Sequence, residues 1–309
     1  MLKKHLLLVV GILGNWLFGQ SPPDPLVAFD SERQTQWVDS VYNALSLEEK
    51  VGQLFMVAAY SNRDEKHTLE IDSLFKKYNL GGLIFFQGGP VRQAKLSNYY
   101  QSISKVPLLI GMDLEWGLSM RLDSTYRFPY NMTLGAIQDK SLLEALGKKI
   151  GEHTRRMGVH INFAPVLDIN TNPENPIIGN RSYGENPENV IESATAFVRG
   201  MQSAGVLTNG KHFPGHGDTA TDSHKTLPIV PHDRQRLDSV ELKPYRSLFS
   251  QGLSSVMVAH LDVPALEPRE GYPSSVSYNL ITNLLKDQLG FKGLILTDAM
   301  KMKGITNFN

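Results

Sequence analysis

The residues best suited to chemistry crowd into one stretch, Lys211-His-Phe-Pro-Gly-His-Gly-Asp-Thr-Ala-Thr-Asp-Ser-His224. It holds three His, two Asp and one Lys, and Pro214, Gly215 and Gly217 break regular structure within it. A solvated polar loop is the plainest reading, but titratable clusters that follow a strand tend to be functional. His212, His216, Asp218, Asp222 and His224 are ligand types for zinc or another divalent ion, yet their spacings match no metal pattern. Gly215-His-Gly-Asp-Thr-Ala220 fits the G-x-G-x-x-A of dinucleotide sites, but Asp222-Ser-His-Lys-Thr-Leu-Pro follows it where an apolar helix should begin. No metal and no cofactor is therefore expected. The remaining chemistry is proton transfer. Asp222 lies two residues before His224, so its carboxylate can hold one ring nitrogen and leave the other free to exchange protons. An imidazole with a pKa of about 6.5 serves as acid and then as base near neutrality. Asp298, in Leu-Ile-Leu-Thr-Asp-Ala-Met, offers a carboxylate nucleophile, or else only a structural cap.

Such groups need a scaffold that brings them together. Seven apolar runs of strand length recur: Leu54–Ala59, Gly82–Phe86, Pro107–Met112, His160–Val166, Val206–Thr208, Ser255–Ala259 and Gly293–Leu296. Segments with helical periodicity lie between them, among them Leu142–Arg156, Pro187–Ala204, Leu242–Gln251 and Leu280–Leu289. Most runs are apolar throughout, as parallel strands covered on both faces are. They end in polar residues such as Asp113 and Glu115, Asp168, Lys211 and His212, His260 and Asp298. Strand ends from the whole chain converge on one point only if the sheet closes, so a (β/α)8 barrel is expected over an open doubly wound sheet. The chain stops eleven residues after Asp298. The barrel is therefore expected to lack its last β/α unit, which predicts marginal stability or aggregation for residues 21–309 alone.

The 309 residues carry 31 Lys+Arg against 31 Asp+Glu. That balance supplies no electrostatic attraction for nucleic acid. Without cysteine there is no disulfide and no thiol nucleophile. Residues 1–20 read as a signal peptide: Lys3, Lys4 and His5 precede an apolar run, Leu6 to Phe18, shorter than the ~18–20 residues a spanning helix needs. Export to the periplasm or medium of a bacterium, without stable membrane insertion after cleavage, is the expectation. Residues 21–44, opening Ser-Pro-Pro-Asp-Pro, read as a linker entering a first helix. The barrel is expected over 45–309, with Ser46-Leu-Glu-Glu49 as a helix-starting capping box.

Lys211-His-Phe-Pro-Gly-His-Gly-Asp-Thr with Asp222-Ser-His224-Lys-Thr-Leu-Pro resembles the signature of glycoside hydrolase family 3, most closely its β-N-acetylglucosaminidase branch. Gln53-Leu-Phe-Met, Gly111-Met-Asp113, Asn180-Arg-Ser-Tyr-Gly184 and Thr297-Asp-Ala-Met300 extend the resemblance from about residue 45 to 309. It implies a barrel hydrolysing terminal β-linked N-acetylglucosamine with retention. Asp298 would be the nucleophile, and His224 the acid/base assisted by Asp222. Asp113, Arg121, Arg181, Lys211 and His212 would bind sugar hydroxyls. For Arg121 and Arg181 a surface ion pair is the competing reading. The family's Asp-Gln-Glu-Gly-Gly stretch reads here Asp113-Leu-Glu-Trp-Gly117, which alters the rim of the pocket. A β-glucosidase or xylosidase of the same family and a non-catalytic sugar-binding module are the alternatives. Hydrolysis and phosphorolysis both fit, and a further C-terminal domain fits the resemblance.

Overall fold

Each of the seven apolar runs becomes a strand in the computed structural model, which describes Leu26, residues 30–306 and Phe308. They are β1 (Met56–Ala59), β2 (Gly82–Phe85), β3 (Leu109–Met112), β4 (Ile161–Asn162), β5 (Leu207–Phe213), β6 (Ser255–Val258) and β7 (Leu294–Thr297). The strands lie side by side in chain order and every adjacent pair is parallel. Each strand sends one residue into a shared apolar cluster: Met56, Ile84, Leu109, Ile161, Leu207, Met257 and Leu296, with Phe163 beside them. A flat sheet cannot bring its first and last strands into one cluster, so the sheet is curled around it. Among the described residues β1 and β7 do not pair with each other, and the barrel is incomplete along that seam. There Leu294 is 43% exposed, and Met56 and Leu296 are only partly buried.

Helices cover the outside: α1 (Ser31–Ala44), α2 (Leu47–Gly52), α3 (Glu65–Tyr78), α4 (Pro90–Ile103), α5 (Asn131–Gly135), α6 (Lys140–Arg156), α7 (Pro187–Ser203), α8 (Arg234–Ser239), α9 (Lys243–Phe249) and α10 (Lys303–Thr306). Asn279–Gln288 winds as a π-helix. Short polar side chains start several of them and satisfy free N–H groups of the first turn. Ser46 and Glu49 form both halves of the capping box on α2, and Asp64, Asp139, Asn186 and Asp233 cap α3, α6, α7 and α8. Close approach of α6 and α7 demands glycine, because a Cβ on Gly200 would lie 2.0 Å from the Glu144 carbonyl oxygen. α1 buries no residue, and residues 21–25 and 27–29 of the stretch read as a linker lie outside the described residues. The segment read as an export signal lies outside the described residues. No helix among the described residues is long and apolar enough to cross a membrane.

One expectation is corrected. Lys211 and His212 lie inside β5, not in a loop after a strand ending at Thr208. The Lys211 N–H donates to the Pro165 carbonyl at 3.1 Å, its carbonyl accepts from the Leu167 N–H at 2.6 Å, and the Phe213 carbonyl accepts from the Ala259 N–H at 2.9 Å. Backbone pairing on both sides carries the strand on, and ionic partners satisfy the polar side chains. The Lys211–His212 and Phe213–Pro214 peptides are cis.

Candidate active site

At the C-terminal ends of β3 and β5 a row of charges is built into the barrel wall. The ammonium of Lys211, 2% exposed, lies 2.8 Å from Asp113 Oδ1 and 2.8 Å from Glu115 Oε1. Arg121 donates to the other oxygen of Asp113 and stacks 4.7 Å from the Phe86 ring. Arg181 grips Glu115 with a fork, Nε to Oε2 at 3.0 Å and Nη2 to Oε1 at 2.7 Å. The same Nη2 lies 3.3 Å from His212 Nε2, and His212 Nδ1 lies 2.6 Å from Asp168 Oδ2. Asp168 accepts at Nδ1 and Arg181 donates at Nε2, so the geometry sets the ring as the Nδ1–H tautomer. The surface-pair reading of Arg121 and Arg181 therefore gives way. Their side chains are 17% and 23% exposed and their carboxylate partners 13% and 0%.

Burial alone would raise the carboxylate pKa values in this wall, but the cations outweigh it. Asp113 is held below its ordinary value by Lys211 and then Arg121, Glu115 far below by Arg181 and Lys211, and Asp168 below by His212 and His216. The wall's carboxylates are thus ionised and held against fixed cations before any ligand arrives. Such groups can grip vicinal hydroxyls by charge-assisted hydrogen bonds.

The second half of the site is more open. His224 accepts at neither of its anchoring points: its backbone N–H donates to Asp222 Oδ1 at 2.8 Å, and its Nδ1 lies 2.9 Å from the same oxygen. The His224 side chain is 64% exposed and that of Asp222 only 18%. Asp222 is held below its ordinary pKa because hydrogen bonds and charge from His224 outweigh its partial burial. Asp298 follows β7 directly. Its backbone N–H donates to the Val258 carbonyl at 2.9 Å and its Oδ1 accepts from the Ala299 N–H at 2.7 Å. Its carboxylate stays partly exposed. The buried His260 ring feels both Asp298 and His224, which puts the ends of β6 and β7 and the dyad loop in one electrostatic neighbourhood. A hydrogen bond from the Gly304 N–H to the Ser223 carbonyl, 3.2 Å, joins α10 to that loop.

Of the eight site residues that the sequence points to, five, Asp113, Arg121, Arg181, Lys211 and His212, meet in the wall. Glu115 and Asp168, seen only as polar strand ends, prove to be central. Glu115 closes the row between Lys211 and Arg181, and Asp168 orients His212. The Leu114 and Trp116 departures are accommodated locally. Leu114 is buried with its N–H on Asn162 Oδ1 at 3.0 Å, and Trp116 packs edge-on against Tyr130 at 4.8 Å.

The description "Glycosyl hydrolase family 3 N terminal domain" matches residues 46–309. Beta-hexosaminidase A of Pseudoalteromonas piscicida is 36% identical over 262 residues, covering 77% of this chain and 44% of that protein. The solved glycoside hydrolase family 3 β-N-acetylglucosaminidase from Paenibacillus sp. str. FPU-7 superposes with a TM-score of 0.80 at 43% identity, covering 86% of this chain and 51% of that one. A beta-glucoside phosphorylase, BglX bound to 2FGlc, superposes with a TM-score of 0.86 at 30% identity over 93% of this chain and 52% of its own. The chain thus spans about half the length of these relatives.

Proposed function

The chain belongs to glycosyl hydrolase family 3, and from that premise we propose that it carries the catalytic barrel of an exported, retaining β-N-acetylhexosaminidase acting on terminal β-linked N-acetylglucosamine. The observation that carries the reading is the Asp222–His224 pair: the carboxylate accepts from Nδ1 of an exposed ring, which leaves Nε2 free to carry a proton to the leaving group and take one back. Asp298 attacks the anomeric carbon while His224 Nε2–H protonates the leaving oxygen, so the glycosidic bond breaks as an ester to Asp298 forms. His224, now a base, takes a proton from water, which displaces Asp298 at the same carbon. Two inversions give retention, and the anionic Asp298 stabilises the oxocarbenium-like transition state before bonding to it. Asp113, Arg121, Arg181, Lys211 and His212 hold the sugar hydroxyls and fix the ring for attack. Export rests on Lys3, Lys4 and His5 before the apolar run from Leu6 to Phe18, and it favours cell-wall or environmental glycan as substrate.

The test is chromophore release from aryl β-N-acetylglucosaminide and aryl β-glucoside, with Asp298→Asn as control. Preference for the acetamido sugar, lost in the variant, supports class, specificity and nucleophile together. Activity on the glucoside alone overturns the specificity. No activity on either from folded protein favours a sugar-binding module. The phosphorylase relative supports a second reading, in which phosphate replaces water as acceptor, because His224 places no carboxylate where that anion would approach. A rate that rises with phosphate, with sugar 1-phosphate as product, would select it.

A further inference from the structure

Ser223 stands between the two members of the dyad but faces the other way. It is 3% exposed, whereas the His224 side chain is 64% exposed. Its hydroxyl lies 3.1 Å from Nε2 of His216, a buried ring that the proposed reaction does not use. The proton on that ring can be assigned. Thr219 donates its hydroxyl to the His216 carbonyl at 3.1 Å, so it accepts from Nδ1, 2.5 Å away. Nε2 is then the acceptor and the Ser223 hydroxyl the donor. His216 is fixed in turn: its backbone N–H donates to Asp168 Oδ1 at 2.7 Å, and its carbonyl accepts from Asn175 Nδ2 at 2.8 Å. From the opposite side the Ser223 carbonyl accepts from Gly304, six residues beyond Asp298. A Cβ on Gly304 would come within 3.0 Å of both the Ser223 and Thr226 carbonyl oxygens.

We propose that His216 is a positioning residue whose Nε2, by accepting the Ser223 hydroxyl, seats the loop that carries Asp222 and His224 and sets its height above Asp298. The catalytic half of this inference rests on the proposed glycosidase chemistry; the seat itself does not. The loop has two anchors at one residue. One leads through His216 to Asp168 and so to the sugar-binding wall, and the other leads through Gly304 to the segment bearing the nucleophile. Burial pushes the His216 imidazole down to about 4, so Nε2 stays an acceptor across the neutral range. His224 needs no buried contact of its own, because its neighbour supplies one.

Two readouts on the full chain test this. Hydrogen exchange over residues 217–226 should quicken about tenfold in Ser223→Ala and in His216→Phe, and stay within about twofold of the original in His216→Gln, whose amide oxygen can stand in for Nε2. Residues 207–213 should keep their protection in Ser223→Ala. In kinetics, Ser223→Ala should lower kcat/KM about tenfold on an alkyl β-N-acetylglucosaminide, whose departure needs a proton, and less than about twofold on a 2,4-dinitrophenyl one. Unchanged exchange in Ser223→Ala overturns the seat. Faster exchange with equal losses on both substrates overturns the positioning role and leaves a structural one. If the unaltered protein cleaves neither glycoside, the glycosidase reading fails, and the exchange data alone decide whether the seat exists.

Discussion

The wall and the rim of this site are built on opposite principles. In the wall, Lys211, Glu115 and Asp168 are almost fully buried and each touches two or more partners. On the rim, among the described residues, His224 is exposed and hydrogen-bonded to Asp222 alone, and the Asp298 side chain is held by one backbone N–H. Groups that must recognise a rigid ring gain from being locked before it arrives, because ordering them later would cost binding energy. Groups that must give, take and bond need free atoms, so the fold leaves those atoms unpaired and fastens only their neighbours. On the proposed reading, binding is therefore part of the folded core, and reactivity hangs from it on short tethers.

That contrast makes opposite variants diagnostic. Asp298→Asn should remove turnover by about 10⁴-fold or more while leaving the melting midpoint where it was, since Asn keeps the contact to Ala299. A lower midpoint would show that the rim does share in the fold. Lys211→Met should do the reverse first, destabilising the protein by about 3–5 kcal/mol in denaturant titration, because Asp113 and Glu115 would face each other without it. A change below about 1 kcal/mol would mean that Arg121 and Arg181 suffice and that the wall is not a unit. His224→Ala should lower kcat/KM by about 10²-fold on poor leaving groups, spare good ones, and leave stability alone.

Acid should separate the two regions without any substitution. His216 is neutral when folded, with a pKa near 4 against 6.5 unfolded, under the influence of its burial, His212, Asp168 and Arg181. The unfolded state takes up its proton first, so this contribution is whole above pH 6.5 and falls by about 3 kcal/mol towards pH 4. The wall carboxylates are lowered from 3.8 and 4.5, so their contribution is intact above those values and is lost only below them. Hydrogen exchange should thus loosen residues 217–226 between pH 6 and 5 while residues 207–213 stay protected, whereas a single joint transition would break the distinction.

Periodicity carried the fold well, since each of the seven apolar runs overlaps a strand, although β5 runs five residues past the end its run suggested. Local spacing carried the dyad, because Asp222 and His224 are two residues apart and need no distant partner to meet. The rest of the site depends on pairings that no window along the chain contains: Lys211 with Asp113 across 98 residues, Arg181 with Glu115 across 66, and His212 with Asp168 across 44. Asp113-x-Glu115 was visible as two acids on one strand end, but only the curl of the sheet shows that a single lysine lies between them. His216 sat in the richest motif and still read as one histidine among three, because its role depends on which way Ser223 turns.

Along the wall the sign of charge alternates from Arg121 through Asp113, Lys211 and Glu115 to Arg181, each in contact with the next, like a strip cut from an ionic crystal. Dissolved ions screen charges through water, over about 8 Å at 0.15 M, and reach such buried neighbours poorly. On the proposed reading, a neutral sugar laid along the strip would meet a donor or an acceptor at every step, whatever the salinity outside. A sugar bearing a sulfate or a carboxylate there would meet repulsion beside each attraction, so a strip suited to hydroxyls would also be a filter against formal charge.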